Sequence, residues 1–233
     1  TDYGQYDGGQ YDGNQYANDI DYDYFEDELS PHGDWYYHPR WGRVWRPANV
    51  GANFRPYYSD GYWQDTYEFG ITWVSGYAWG DVPFHYGRWV YDPFDRWIWL
   101  PGYVWAPSWT MWRSGGGYVG WFPMPPTDDF LIGVEVYTND WRNDDRGYGY
   151  ADWYGPEYGA GWSATQWVFV EEDRFGERDF RRWEAPRNRS VNIVRNTTNI
   201  TNYITINNYV VNRSVDTNAA GRPNGRRQGD GFE

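Results

Sequence analysis

The chain has no cysteine, which excludes a disulfide framework, a thiolate metal site and a c-type haem attachment. It has no lysine either, so all 20 basic side chains are arginine. Arginine stacks on aromatic rings and pairs bidentately in ways that lysine does not, so this composition favours planar stacking of side chains. A base-composition bias of the lineage is the other explanation. No run of residues is long and apolar enough to span a bilayer.

Catalytic and metal-binding signatures are also scarce. The three histidines are His32, His38 and His85, and no two of them have metal-ligand spacing. Nucleophile-elbow, phosphate-loop and dinucleotide fingerprints are missing, and the run Gly115-Gly116-Gly117 is typical of a hairpin turn. A carboxylate pair drawn from Asp81, Asp92 and Asp95 stays open, although nothing in their spacing singles it out. We therefore expect a protein that is not an enzyme and holds no metal and no cofactor.

Aromatic residues are in excess, with 18 Trp, 24 Tyr and 11 Phe making up 23% of the chain. Between residues 73 and 126 they recur every two or three positions, separated by Gly, Pro and Asp, which mark turns and disfavour helix. Rings that alternate on either side of Asp92-Pro93-Phe94-Asp95 predict a β-hairpin over residues 87–101. Its cross-strand rings are expected to be Trp89, Tyr91, Trp97 and Trp99.

This hairpin has an earlier copy in the sequence. Trp35, Tyr37, Pro39, Trp45 and Pro47 recur in register as Trp89, Tyr91, Pro93, Trp99 and Pro101. A shorter element that ends in Trp-x-Pro occurs at residues 43–47, 97–101 and 103–107, with a looser copy at 118–123. Because one such unit buries little surface alone, we expect the copies to stack or pair. The pattern predicts an all-β fold of antiparallel hairpin repeats rich in Trp and Tyr.

The two ends of the chain differ in charge. Residues 1–34 hold ten acidic groups and no basic one, whereas residues 187–233 hold seven arginines against three acids. The asymmetry favours head-to-tail steering of subunits, or else describes two independently solvated tails. With a net charge of −13, nucleic acid is a poor partner. The Asp-rich run at 19–28 lacks the glycine and glutamate of an EF-hand, so it predicts a solvated acidic linker, with adventitious calcium as an open alternative.

Composition divides the chain into five segments: an acidic Tyr/Gly/Gln arm (1–28), a Trp/Tyr-rich β-repeat domain (29–126), a β extension with a Gly/Tyr-rich loop and a short helical turn (127–186), an Asn/Thr/Val/Ile β segment (187–215) and a basic flexible tail (216–233). The fourth segment has β-branched residues with neither Pro nor Gly and predicts one or two long strands with an exposed edge. We expect it to be an assembly strand, formed by Ile200, Tyr203, Ile204, Ile206, Asn207, Asn208 and Val210.

The segments HYGRWVYDP, RWIWLPGYVWAPSW and WRSGGGYVGWFPMPP, with GRVWRP upstream, resemble a Trp/Tyr-rich extracytoplasmic domain family of bacteria whose function is unknown. The resemblance covers about residues 29–126. The Asn/Thr/Val/Ile run also looks like the C-terminal segment of that family. The resemblance implies export and a β-rich fold, and it implies no activity.

Two functions fit this sequence. The first is an extracellular structural protein that self-associates, as a filament or matrix subunit, through aromatic hairpins and strand addition. The second is an extracytoplasmic module that binds polysaccharide on exposed rings. The aromatic stacking surface is expected to include Trp73, Trp79, Tyr86, Arg88, Trp89, Trp97, Trp99, Trp105, Trp109 and Trp112, although alternate Trp residues can equally form the core of a sheet. A first residue other than Met fits a mature exported chain, so we expect an extracellular or cell-surface protein, with the periplasm as second choice.

Overall fold

The computed structural model describes residues 21–126, 166–207 and 209–216, and within these ranges the chain is built mainly from β-strands. The strands form three four-stranded sheets. Strand pairing is antiparallel except for one parallel bridge between Asn212 and Gly70. The all-β prediction is confirmed. The arm at 1–20, the stretch 127–165, Asn208 and the tail from residue 217 lie outside the described residues.

The first sheet is made of two hairpins side by side. Its strands are β1 (Gly33–His38), β2 (Gly42–Pro47), β5 (Arg88–Asp92) and β6 (Arg96–Leu100), in the spatial order β1-β2-β6-β5. The predicted hairpin at 87–101 is confirmed, because Trp89 lies opposite Trp99 and Tyr91 opposite Trp97. The predicted pairing of the two copies is confirmed as well. Strand β2 meets β6 at Trp45 and Trp99, which occupy the same position of the repeat.

The other two sheets combine early and late parts of the chain. The second contains β3 (Gly61–Thr66), β4 (Gly70–Ser75), β11 (Tyr203–Ile206) and β12 (Tyr209–Asn212), in the order β11-β12-β4-β3. The third contains β7 (Thr110–Gly115), β8 (Tyr118–Pro123), β9 (Val168–Glu171) and β10 (Thr198–Asn199), in the order β10-β7-β8-β9. Strands from residues 166–216 therefore complete both sheets.

Four hairpins of the fold carry a cross-strand pair of tryptophans near their open end. The pairs are Trp35–Trp45, Trp63–Trp73, Trp89–Trp99 and Trp112–Trp121. The sequence identified the first and third hairpins as copies and residues 118–123, which form β8 of the fourth hairpin, as a looser copy of the shorter element. It missed the second hairpin. The short Trp-x-Pro copy at residues 103–107 lies in irregular backbone, and its Pro107 carbonyl accepts a hydrogen bond from the Trp73 N–H of β4.

A short helix, α1 (Tyr22–Leu29), packs against the first sheet, so the prediction of a solvated linker is wrong for these residues. The Asp21 side chain accepts a hydrogen bond from the Tyr24 N–H and caps the helix. Phe25 and Leu29, one turn apart, are fully buried. The Phe25 ring meets the Trp99 ring edge-on at 5.3 Å between centroids. Burial of these two apolar side chains, spaced one helical turn apart, holds the segment against the sheet in spite of the acidic residues around them.

The predicted long strand at 187–215 is wrong at its start, where α2 (Ser190–Arg195) is helical. Ile193 and Val194 are buried on this helix. The Arg113 side chain donates a hydrogen bond to the Val194 carbonyl, near the end of the helix. Tertiary packing thus overrides the β propensity of the branched residues. The helical turn expected within 171–183 is found as two single 3-10 turns, Glu172–Arg174 and Phe180–Trp183.

The described residues share one main hydrophobic core. Residues 166–216 are here called the late segment. Trp63, Trp112 and Trp121 pack with Phe175 and Phe180 of this segment, as ring contacts of 5.2 to 6.4 Å show. A smaller cluster forms around Ala106, Trp109, Met124 and Val210. Residues from 21–126 and from 166–216 occur in both clusters.

Candidate functional site

The expected aromatic surface is mostly inside the protein. Of ten residues predicted to form it, eight are buried: Trp73, Trp79, Arg88, Trp89, Trp97, Trp99, Trp109 and Trp112. These eight side chains cannot present a ring face or a guanidinium to a ligand, so the prediction is wrong for them. The alternative that alternate Trp residues form the core of the sheets is what the structure shows. Only Tyr86 and Trp105 remain partly exposed.

Two sets of contacts hide the indoles. Residues 166–216 cover Trp73, Trp109 and Trp112 through the rings of Phe180, Tyr203 and Phe175. Trp79 and Trp89 are instead covered within residues 21–126, by Trp45 and Phe54. Of the 18 tryptophans, 15 lie in the described ranges and 12 of these are buried. Trp63, for example, contacts four other rings with 4.6 to 6.4 Å between centroids: Trp73, Trp112, Trp121 and Phe175. Arg88 lies over the Trp109 ring at 3.7 Å. The stacking that the arginine-only composition favours therefore occurs inside the fold.

One aromatic group does reach the surface, and we name it the aromatic ledge: Phe69, His85, Trp105 and Tyr209, each partly exposed. The Trp105 ring stacks on His85 at 5.4 Å with 16° between the planes, and it meets the edge of Phe69 at 4.6 Å. Phe69 in turn contacts Tyr209 at 5.8 Å. Since His85 covers one face of the indole, the exposure of Trp105 comes from its other face and its edges.

His85 supports the ledge as a neutral ring. Burial lowers the pKa of His85, and its hydrogen bond to the Ala106 carbonyl opposes that shift. Nδ1 lies 2.9 Å from the carbonyl oxygen, so Nδ1 carries the proton and donates it. A neutral imidazole stacked on Trp105 presents an apolar support with no charge that would attract or repel an ion.

The second candidate is the outer edge of β11, the last strand of the second sheet. Asn207 and Asn208 connect β11 to β12, and the register pairs Ile206 with Tyr209 and Ile204 with Val211. A two-residue turn makes these the hydrogen-bonded pairs, so the main-chain groups of Tyr203 and Thr205 point outward. Asn212, the partner of Tyr203, follows the same alternation: its N–H points away from β11 and donates to the Phe69 carbonyl. Within the described ranges, no strand lies beyond β11.

The residues of the expected assembly strand fall into two groups: some pack against the hydrophobic clusters, and the others lie at the exposed edge of β11. Ile200 is partly buried against the main core and Val210 is buried near Trp109. Ile204, Ile206 and Val210 would share one face of a single continuous strand, but the turn places Val210 on the opposite face from Ile204 and Ile206. Thr205, Ile206 and Asn207 are exposed and Ile204 is half-buried. Asn208 lies outside the described residues.

A buried polar network fixes β11 to the body of the protein. The Tyr203 hydroxyl donates to the Thr110 carbonyl at 3.0 Å and accepts from the Thr110 N–H at 3.1 Å. It also lies 3.1 Å from the Ser108 hydroxyl. Burial raises the pKa of Tyr203, against the hydrogen bonds from Ser108 and Thr110. The inner end of β11 is thus rigidly held while its outer edge is open.

The structure also gathers His38, Asp92 and Asp95, which the sequence did not place together, with ligand atoms within 4.8 Å of one another. His38 Nδ1 accepts from the N–H groups of Arg40 and Trp41, so the ring proton is on Nε2, 3.3 Å from Asp92. A metal at Nε2 would need the opposite tautomer and would break both turn bonds. Asp95 already pairs with Arg46 at 3.0 Å. This cluster holds two turns together.

A signal for this cluster was present in the sequence. His38 and Asp92 occupy the same place in the two hairpin copies, as the last residue of the first strand. Each caps its own turn, since the Asp92 side chain accepts from the N–H groups of Phe94 and Asp95. Aligning the copies by all residues, rather than by Trp, Tyr and Pro alone, would have indicated the pair.

The described part of the chain is an all-β protein with an aromatic core and no described helix long and apolar enough to cross a membrane. Residues 26–128 match the family model described as "Family of unknown function (DUF6600)", and this part of the chain is similar to that family. The resemblance read from the sequence, to a Trp/Tyr-rich family of unknown function over about 29–126, is confirmed. No curated protein and no solved structure matches the chain.

Proposed function

We propose that the protein is a non-enzymatic structural protein of the cell exterior, whose copies associate by adding strand β11 of one copy to β11 of another. The observation that carries the proposal is the open edge of β11, where the outward main-chain groups of Tyr203 and Thr205 face no described strand. An unpaired edge is a template for another strand. Because the tryptophans of the aromatic hairpins are buried, these hairpins do not support association between copies.

The side chains of this edge favour pairing. Ile204, Thr205 and Ile206 are all β-branched, and Ile206 keeps 42% of its surface exposed. Proteins that avoid edge pairing place Lys, Pro or a bulge there, and β11 has none of these residues. With four residues the edge offers few hydrogen bonds, so each contact is weak and we expect association to depend strongly on concentration.

The opposite edge of the same sheet is less available. The Arg181 guanidinium donates to the Gly61 carbonyl at 2.9 Å, and Arg178 lies 4.3 Å from the centre of the Tyr62 ring. Both arginines thus cover the start of β3. Pairing of β11 with β11 of a second copy is therefore the favoured contact, and because the same edge serves both copies it closes a two-fold dimer.

Sedimentation of two variants tests this contact. Thr205→Pro removes the outward N–H and leaves the bonds between β11 and β12, whereas Thr205→Val keeps that N–H. We expect the unmodified protein and T205V to shift from monomer to dimer as concentration rises, and T205P to stay monomeric. Monomers of the unmodified protein at every concentration, or equal dimerisation of T205P, would contradict the proposal.

Polysaccharide binding on the aromatic ledge is the second candidate function, favoured by one observation. Trp105 is a partly exposed indole supported from behind by a neutral imidazole, and such a face can stack on the apolar face of a sugar ring. We expect Trp105→Ala to abolish retention on insoluble polysaccharide. Tyr37→Ala, which removes a ring that is 75% exposed away from the ledge, should leave retention unchanged.

A further inference from the structure

Two exposed carboxylates flank the aromatic ledge. Asp81 is near enough to the His85 ring, which supports Trp105, to act on it electrostatically, and Glu68 directly precedes Phe69 in the chain. Within the described ranges, neither carboxylate forms an ion pair with an arginine. Their negative charges can therefore act on a ligand that lies on the ledge.

A second group of exposed rings adjoins the ledge. Tyr86 follows the ledge residue His85 in the chain, and Tyr103 comes shortly before Trp105. Both tyrosine rings contact the buried ring of Phe25, with 5.6 Å between centroids in each case. Tyr103 keeps 52% of its surface exposed, and Tyr24, on the same helix as Phe25, keeps 39%. The ledge is thus continued by further ring surface toward α1.

The charges along this surface are negative. Burial and then the carboxylates of Glu28 and Asp81 raise the pKa of Tyr24, so Asp81 acts on Tyr24 as well as on His85. In the part of the chain that the structure describes, no arginine contributes to either of these pKa shifts. Arg88, close to the ledge in sequence, is buried over the Trp109 ring. A ligand on the ledge therefore meets ring faces beside carboxylates.

This combination discriminates among saccharides. An indole face can stack on the apolar face of any sugar ring. Carboxylates repel the anionic groups of acidic polysaccharides and attract ammonium groups, which aromatic faces also hold through cation–π contacts. A lysine-rich peptide carries the same charge as an amino sugar, but its flexible side chains offer no flat apolar face for Trp105 to cover. Rings and charges together favour a sugar with positive charge.

We propose that the aromatic ledge binds a polysaccharide that carries protonated amino groups, with Trp105 stacked on a sugar ring and with Asp81 and Glu68 beside ammonium groups. The proposal rests on the second candidate function, polysaccharide binding on the ledge, and deepens it by naming the class of sugar. It does not depend on pairing at β11. Because each exposed charge pair contributes little, a short oligosaccharide binds weakly and a polymer, which makes several contacts at once, is held more tightly.

Frontal chromatography of soluble tetramers over the immobilised full chain tests the class of sugar. The two probes are the tetramers of β-1,4-linked glucosamine and of β-1,4-linked glucose, whose rings differ by an ammonium group in place of a hydroxyl. In mildly acidic buffer the amines are protonated, while His85 stays neutral because burial lowers its pKa. We expect the glucosamine tetramer to bind about tenfold more tightly, and added salt to remove most of that difference.

Four variants separate the contributions of ring and charge. Trp105→Ala should abolish binding of both tetramers. Asp81→Asn and Glu68→Gln keep the shape of these exposed side chains, so each should weaken binding of the glucosamine tetramer about threefold and leave the glucose tetramer unchanged. Asp173→Asn removes a carboxylate that is 69% exposed in the turn after β9, and it should change neither affinity.

The outcomes distinguish this inference from the functions on which it builds. Equal binding of the two tetramers, lost in W105A, would overturn the inference and leave polysaccharide binding in place. If neither tetramer binds, both are wrong. A preference for glucosamine that W105A does not reduce, or that D173N reduces as much as D81N, would show attraction to the net charge alone and would overturn the inference.

A lysine tetrapeptide serves as a third probe. If it binds as tightly as the glucosamine tetramer and W105A abolishes that binding, the ligand is a basic peptide and the inference is wrong. The T205P variant should bind all three probes as the unmodified protein does, so failure of edge pairing at β11 would leave these results unchanged.

Discussion

The buried tryptophans differ in whether their indole N–H makes a hydrogen bond. Trp45 donates to the Leu29 carbonyl at 3.1 Å and Trp99 to the Tyr86 carbonyl at 2.7 Å. The indole nitrogens of Trp63, Trp73, Trp89 and Trp112 are buried with no acceptor in the described part of the chain. Edge-to-face contacts surround Trp63, so its N–H is left to weak contacts with ring faces. Trp73 therefore lacks the indole hydrogen bond that Trp45 and Trp99 make from the same place in their hairpins.

Replacement of single indoles tests this difference. Trp45→Phe and Trp63→Phe lose similar volume from the core, but only the first removes a donor from a buried carbonyl. We expect W45F to lower the free energy of unfolding by about 1 kcal/mol more than W63F. Urea denaturation of the two variants measures the difference. Equal losses would show that the Trp45 hydrogen bond adds nothing beyond packing.

At the scale of elements, glycine lets an indole lie flat across its own hairpin. A Cβ on Gly33 or Gly87 would stand 2.7 Å from atoms of the cross-strand indole, Trp45 or Trp99, and would overlap the neighbouring carbonyl. Gly61 has the same relation to Trp73 in the hairpin of β3 and β4. The recurring unit is thus a glycine two positions before the first Trp, together with the ring that covers it.

Substitution of two glycines separates backbone strain from this contact. Gly87 and Gly117 both have positive φ, of +64° and +81°, but a Cβ on Gly117 meets nothing within 4 Å. We expect Gly117→Ala to cost about 1–2 kcal/mol from backbone strain alone. Gly87→Ala adds the overlap with the Leu100 carbonyl and the displacement of Trp99, and should cost at least roughly 3 kcal/mol. Thermal unfolding of both variants gives the comparison, and equal losses would argue against a role for the ring contact.

The sequence predicted the elements whose signal is local. Alternating rings with a central turn were enough for the hairpin at 87–101, and repetition was enough for its pairing with β1 and β2. The hairpin of β3 and β4 was missed as a copy because Asp65 stands where the first and third hairpins have Tyr37 and Tyr91. Burial was mispredicted because it depends on contacts between separate hairpins and with residues 166–216, and contacts so distant in the chain leave no mark in local periodicity.

At the scale of the whole molecule, buried tyrosines couple stability to alkaline pH. Burial raises the pKa of Tyr86 to about 12, and burial with the adjacent Glu184 carboxylate raises that of Tyr58 to about 12. Burial also raises the pKa of Tyr57 and of Tyr203. In the unfolded chain these groups titrate near pH 10. Between pH 10 and 12 the unfolded state therefore binds fewer protons than the folded state, so stability falls as pH rises.

We expect stability to be unaffected by these groups below pH 9 and to decline above pH 10. The decline is at most about 1.4 kcal/mol per pH unit for each buried tyrosine that titrates only in the unfolded state, and it is smaller for the partly exposed Tyr58 and Tyr86, whose hydroxyl groups are screened by solvent. Tyr86→Phe removes one such group and should make the decline shallower. Urea midpoints measured from pH 8 to 11 provide the slope. An equally steep slope in Y86F would exclude Tyr86 as a contributor.

The shared core also predicts how the molecule unfolds. Because Phe175 and Phe180 pack among Trp63, Trp112 and Trp121, the late segment cannot leave without exposing the early hairpins. We expect a single unfolding transition for dilute protein, with equal calorimetric and van't Hoff enthalpies. Two separate transitions would mean that residues 166–216 unfold independently of residues 21–126.

Amide hydrogen exchange at β11 tests the central claim most directly, because that claim concerns single N–H groups. Ile204 and Ile206 bond to β12, so their amides should exchange slowly at every protein concentration. The Thr205 amide points outward. We predict that it exchanges quickly in dilute protein and becomes protected as concentration rises and a second copy pairs with the edge. Fast exchange of Thr205 at all concentrations would contradict the account.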